Sequence, residues 1–93
     1  MNLRGNWNYP TSIRFGVGRI NELAEVCRSQ GILRPLLVTD SGLARAPITL
    51  AAVEALRDAG LGVAMFSDLK PNPVESNLAG GLAAWRAGRH DGV

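Results

Sequence analysis

Leu33-Arg34-Pro35-Leu36-Leu37-Val38-Thr39-Asp40-Ser41-Gly42 is the stretch that decides the fold. Leu36, Leu37 and Val38 form an unbroken apolar run. That is how a strand covered on both faces reads, and it is the mark of a parallel sheet packed between helices. Asp40-Ser41-Gly42 ends the run with turn formers, and puts a carboxylate at the carboxyl end of the strand.

Working outward toward the C-terminus, Pro47 suits the first turn of a helix, where its missing N–H has no partner to lose. Ala52, Val53 and Leu56 carry that helix to a stop at Gly60. Gly62-Val63-Ala64-Met65-Phe66 reads as a second buried strand, and Ser67 to Pro73 as a loop restrained by two prolines. Val74, Leu78, Leu82 and Trp85 share one face of a third helix, which makes Trp85 a core residue. Gly80-Gly81 within it costs roughly 1 kcal/mol per Gly relative to Ala, which means close packing against a neighbour or a weak helix. His90-Asp91-Gly92-Val93 begins another strand, with His90 read as a solvated surface residue.

Toward the N-terminus, Ile13, Phe15 and Val17 alternate with Ser12, Arg14 and Gly16, the period of a half-exposed strand, and Pro10 sets its start and an edge position. From Ile20 the period lengthens: Ile20, Leu23, Ala24 and Cys27 share one helical face that stops at Gly31. The alternation of strands and helices predicts an α/β fold, a Rossmann-like layered parallel sheet with an N-terminal edge strand or hairpin, incomplete at the C-terminus.

With 93 residues, 46% hydrophobic and 19% charged, the chain is globular in composition and has room for one small domain. Ten basic residues against eight acidic ones leave a net charge of +2, scattered along the chain and not interleaved with aromatics, so no nucleic-acid surface is expected. No apolar stretch approaches a membrane span and no apolar segment follows Met1, which predicts a cytoplasmic protein with no membrane partner. A single cysteine, Cys27, excludes an internal disulfide and reads as a small buried hydrophobe. With only His90 beside it, no metal site is expected on the chain. Ser41 and Ser67 have no nucleophile-elbow context, so hydrolase chemistry has no foothold.

The chemistry lies at the carboxyl ends of the strands, where open parallel sheets bind ligands. Asp40 can accept both hydroxyls of an adenosine ribose, and its charge would repel a 2′-phosphate, favouring NAD over NADP. Equally, it can cap the turn that follows. Asn72, between Pro71 and Pro73, can present its amide to a nucleotide or form the turn. Gly16-Val17-Gly18 imitates a dinucleotide fingerprint, but Asn21 stands where the third glycine belongs, so a plain turn is the better reading.

Tyr9-Pro10-Thr11-Ser12-Ile13-Arg14-Phe15-Gly16-Val17-Gly18, Leu36-Leu37-Val38-Thr39-Asp40-Ser41-Gly42-Leu43 and Val63 to Asp68 running into Pro71-Asn72-Pro73 resemble the N-terminal segment of the iron-containing alcohol dehydrogenases. The resemblance implies an oxidoreductase that transfers hydride between an alcohol or aldehyde and NAD(P), with Asp40 on the adenosine ribose and Asn72 lining the cofactor cleft. It implies iron or another divalent metal held by a helical domain outside this chain, and a homo-oligomer joined through N-terminal strands. Residues 1–93 are then expected to be a partial dinucleotide-binding domain, ending before the family's glycine-rich turn and inactive alone. Where the family has Thr after Asn-Pro this chain has Val74, which removes a helix cap worth about 1 kcal/mol. Two other readings remain: a non-catalytic α/β module that associates through its edge strand, and part of a related glycerol dehydrogenase or dehydroquinate synthase type of enzyme.

Overall fold

The computed structural model describes residues 4–8, 11–70 and 72–93. Two strands, β1 (Arg4–Asn8) and β2 (Ser12–Gly16), pair antiparallel, with Arg4 opposite Gly16 and Asn8 opposite Ser12. A 3-10 segment, Arg19–Glu22, leads into α1 (Leu23–Ser29). Then follow β3 (Leu36–Val38), α2 (Pro47–Asp58), β4 (Ala64–Phe66) and α3 (Glu75–Ala87).

The architecture is mixed α/β with two small sheets, one antiparallel and one parallel. β3 and β4 run parallel, with Leu36 opposite Ala64 and Val38 opposite Phe66, so β3, α2 and β4 form one crossover unit. On the other flank of β3, Pro35 makes a parallel bridge to Gly92, and the Leu36 N–H donates to the Gly92 carbonyl at 2.8 Å. The connection through α3 therefore returns past β3 to its opposite side. The hairpin alternative is the one found for the N-terminal segment: β2 pairs with β1 and joins no parallel strand among the described residues. The expectation about Pro10 lies outside the described residues.

The core forms where α1 and α2 meet the turn after Gly60. Cys27, Leu56 and Leu61 are buried together, with Leu23, Ala24, Ile32, Ala59 and Val63 packed against them. Leu56 is 2% exposed, and burying a side chain of that size stabilises the fold by about 1.5–3 kcal/mol. Pro47 is at the start of α2, as its chemistry predicts, and Gly31 and Gly60 take the left-handed conformation (φ +73° and +83°) that ends α1 and α2.

Four expectations are corrected by packing. Ile20 is 53% exposed because the chain enters α1 through a 3-10 segment whose side chains do not continue the helical face. Val17 lies in the turn before that segment, not in the strand. Val38 is 44% exposed although Leu36, on the same face of β3, is 4% exposed, so that face is covered at the start of the strand and open at its carboxyl end. The apolar face of α3 is also open: Leu78 is 73% exposed, and Trp85 is half-buried at a cleft instead of in the core.

His90 departs furthest from its reading as a solvated residue. It is 8% exposed, with its Nδ1 2.9 Å from the Arg34 carbonyl, which makes Nδ1 the protonated ring nitrogen. Asp91 completes the clasp: its carboxylate accepts the Leu33 N–H at 3.0 Å and the Arg34 N–H at 2.7 Å. Arg34 Nε in return donates to the Gly88 carbonyl at 2.9 Å.

Candidate nucleotide site at the carboxyl edge of the parallel strands

Asp40 lies two residues past the end of β3 and the loop from Ser67 follows directly on β4, and parallel pairing brings both carboxyl ends to one edge. Two backbone bonds hold the loops side by side: Thr39 N–H to the Phe66 carbonyl at 3.1 Å, and Ser41 N–H to the Leu69 carbonyl at 3.3 Å. Asp40 is half-buried. Its Oδ1 accepts the Leu43 N–H at 2.9 Å, and the same N–H lies 3.2 Å from the Asp40 carbonyl. The carboxylate thus closes its own turn with one oxygen. An ionised carboxylate has about four acceptor positions, so this bond leaves capacity for ligand hydroxyls.

Asn72 is exposed, within the loop that also carries Lys70 and Pro73. Pro71 lies outside the described residues. The loop is secured by a residue the sequence reading passed over. Asn77, in the first turn of α3, accepts the Val74 N–H at 3.1 Å and the Lys70 N–H at 3.3 Å on Oδ1, and donates Nδ2 to the Asp68 carbonyl at 3.3 Å. Asn77 N–H also donates to the Val74 carbonyl at 2.9 Å. It therefore supplies from the third helical position the capping that Val74 lacks. The signal was present as an amide three residues after Val74, the spacing of a capping partner.

Below this edge an apolar cleft of about 580 Å³ opens between β3, β4 and α3, lined among others by Val38, Phe66, Leu78, Leu82 and Trp85. The Phe66 ring sits against the Gly80-Gly81 backbone, so the glycine pair marks close packing.

The other residues singled out by sequence are elsewhere. Gly16-Val17-Gly18 forms the turn out of the hairpin, with Gly18 at φ +78°, and its strand is antiparallel, so no dinucleotide fingerprint is built there. Arg19 after it ties the hairpin down, donating to the Gly5 carbonyl at 3.0 Å, Asn6 Oδ1 at 2.7 Å and the Glu22 carboxylate. Cys27 is buried, and burial together with the charge of Asp91 pushes its thiol pKa up, which suits packing and not nucleophilic chemistry. Ser41 and Ser67 meet no His–carboxylate pair at the site, His90 being engaged with Arg34. Among the described residues no three His, Cys, Asp or Glu side chains come together as a metal site, and no helix is long and apolar enough to cross a membrane.

Comparison with known proteins places the chain in a family. The family described as "Iron-containing alcohol dehydrogenase" matches residues 10–93. The chain is 36% identical over 85 residues to 4-hydroxybutyrate dehydrogenase of Cupriavidus necator, covering 91% of this chain and 22% of that protein. A more distant similarity, 26% over 81 residues, is to NAD-dependent methanol dehydrogenase of Bacillus methanolicus, covering 87% of this chain and 21% of the relative. Among solved structures, 1,3-propanediol oxidoreductase superposes with a TM-score of 0.74 at 36% identity, over 80% of this chain and 19% of that one. The chain spans between 16% and 22% of the length of the curated relatives it matches.

Proposed function

The chain belongs to the iron-containing alcohol dehydrogenase family, and on that premise we propose that it is the N-terminal nucleotide-binding part of an enzyme that moves hydride between an alcohol and NAD. The observation that carries the reading is the position of Asp40. It follows the strand that has β4 on one flank and the Gly92 segment on the other. The connection through α2 leaves β3 toward β4, and the connection through α3 leaves β4 back past β3 to the Gly92 flank. Ligands bind beyond the carboxyl ends of the strands where connections reverse direction in open α/β sheets. In this reading the parallel pair is the start of a Rossmann-like layer.

Asp40 grips the adenosine ribose with the carboxylate positions left over from Leu43, and its negative charge turns away a 2′-phosphate, so NAD is favoured over NADP. Asn72 offers its exposed amide from the neighbouring loop. Bound NAD supplies the hydride acceptor. The described residues do not fit iron, since no metal-ligating group forms among them. We expect the metal to be held outside this chain, and the chain alone to give no turnover. The relatives' names point to a primary alcohol or the matching aldehyde as the substrate class of the whole enzyme.

A homo-oligomer joined through the N-terminal strands accompanies this reading. A hairpin of two strands has outer edges able to pair with another chain, and Ile13 is exposed on it.

The test is titration of the chain with NAD and NADP, followed by the amide shifts of residues 39–43 and 67–74. Asp40→Ala should weaken NAD by ten- to hundredfold, corresponding to about 1.5–3 kcal/mol for bonds to a charged acceptor. Asp40→Asn keeps an oxygen for the Leu43 N–H but should lose the preference for NAD over NADP. Unchanged NAD affinity in Asp40→Ala would remove the assignment.

A further inference from the structure

We propose that Asn77 is a positioning residue for the nucleotide site, holding the loop that presents Asn72 through its bonds to the Asp68 carbonyl and the Lys70 and Val74 N–H groups. This rests on the nucleotide-binding reading above. Asn77 itself is on α3 and need not touch the ligand.

The bonds straddle the residue they position. Asp68 and Lys70 precede Asn72 and Val74 follows it, so one side chain fixes the loop on both sides. The amide is used in full sense: its oxygen accepts two N–H groups and its nitrogen donates to a carbonyl, so a flipped amide would oppose like with like at all three partners. Two backbone bonds act beside it, from the Ser41 N–H to the Leu69 carbonyl at 3.3 Å and from the Leu69 N–H to the Ser67 carbonyl at 2.9 Å, and both lie on the N-terminal side of Asn72. Val74 has no side-chain cap to offer the helix, and Asn72 and Pro73 are exposed.

The same loop also reaches Asp40. Leu69, between Asp68 and Lys70, accepts the Ser41 N–H at 3.3 Å, and Ser41 is the residue after Asp40. Asn77 therefore holds one loop that touches the turn of Asp40 and carries Asn72, the two candidate binding residues. A carboxylate could take over both acceptor bonds at this helical position, where negative charge is favoured, but would face the Asp68 carbonyl without a donor.

Two measurements on the whole chain test this. First, amide hydrogen exchange without ligand: in Asn77→Ala, Lys70 and Val74 should lose protection while Cys27, Val53 and Leu56 keep theirs. Asn77→Asp should retain protection at both amides, and serves if Asn77→Ala does not fold. Unchanged exchange at Lys70 and Val74 in the folded Asn77→Ala chain overturns the proposal, whatever NAD does.

Second, a double-mutant cycle with NAD as the titrant. Asn77→Ala should weaken NAD roughly three- to tenfold, the loss of a net hydrogen bond or so. It should add little further loss in an Asn72→Ala background, because it acts through that residue. Equal losses in both backgrounds would show a general structural effect and overturn it. No NAD binding by the unaltered chain would fell the nucleotide-site reading and this proposal with it. Binding that Asp40→Ala weakens and Asn77→Ala does not would fell this proposal alone.

Discussion

The ring of Phe66 on β4 lies 3.3 Å from the point where a side chain on Gly80 of α3 would begin, and it is equally close to that point on Gly81. The sheet and helix meet here through an aromatic ring set against bare backbone, which explains two glycines inside a helix despite their cost of roughly 1 kcal/mol each. Phe66 is half-buried and borders the open cleft. The ring can therefore tilt by a few tenths of an ångström away from one methyl group. Gly80→Ala should raise stability by about 0.5 kcal/mol, the helix-propensity gain less the cost of that tilt. The Gly80→Ala/Gly81→Ala double variant pinches the ring from both positions and should be less stable than either single variant. Urea unfolding of the three variants checks this, and additive gains would show that the ring does not constrain the helix.

Acid should loosen the hairpin through Glu22. Arg19 Nε and Arg14 Nη1 each donate to its carboxylate at 2.8 Å, and the bond from Arg19 is the main reason its pKa falls from 4.5 to about 2. A carboxyl depressed in the folded state contributes stability that is complete above its ordinary value and lost as pH falls toward the folded one. The contribution of Glu22 should therefore disappear between about pH 4.5 and 2. Glu22→Gln should flatten the pH dependence of the urea midpoint in that window, and added salt should shrink the difference because the pair is partly solvated. Superimposable pH profiles for the two proteins would contradict it.

The clasp between residues 88–92 and the turn before β3 should be sensitive to changes that look mild by sequence. A Cβ at position 88 would lie 2.1 Å from Nε2 of His90, and one at position 92 would lie 2.6 Å from Cδ1 and Cγ2 of Ile32. Neither contact is relieved by moving only the tip of a flexible chain. Gly88→Ala and Gly92→Ala should each cost about 1–3 kcal/mol, the usual range for overpacking. Asp91→Ala should lower the melting temperature by stranding the Leu33 and Arg34 N–H groups. Those two backbone bonds also hold the Asp91 carboxyl below the usual carboxylate range, so its contribution too should fade as acid protonates it. Thermal melting of the three variants measures this, and wild-type midpoints would remove the clasp from the stability of the fold.

Much of the fold around the candidate site was legible because its determinants are local. Pro47 and Gly60 bound α2, and Asp40 stands two residues beyond Val38, the last residue of β3, with Thr39 between them. Each of these depends on backbone chemistry within a few residues. His90 was misread for the opposite reason: its burial depends on Arg34, far away in the chain, whose carbonyl reaches it only after α2, β4 and α3 have folded back. Asn77 fell between the two cases. Its spacing from Val74 is local, but the bonds to Asp68 and Lys70 depend on how the proline-flanked loop curls over the helix start.

The amino-acid order alone determined the alternating elements, the left-handed glycine stops, the carboxylate after the first parallel strand and the family motifs, because periodicity, turn chemistry and motif spacing act along the chain. Only the tertiary structure decided that β2 turns away to pair with β1, that the apolar face of α3 borders an open cleft, and that His90 is enclosed. An apolar stripe states that a face is fit to be covered; which segment crosses space to cover it is set by long-range packing.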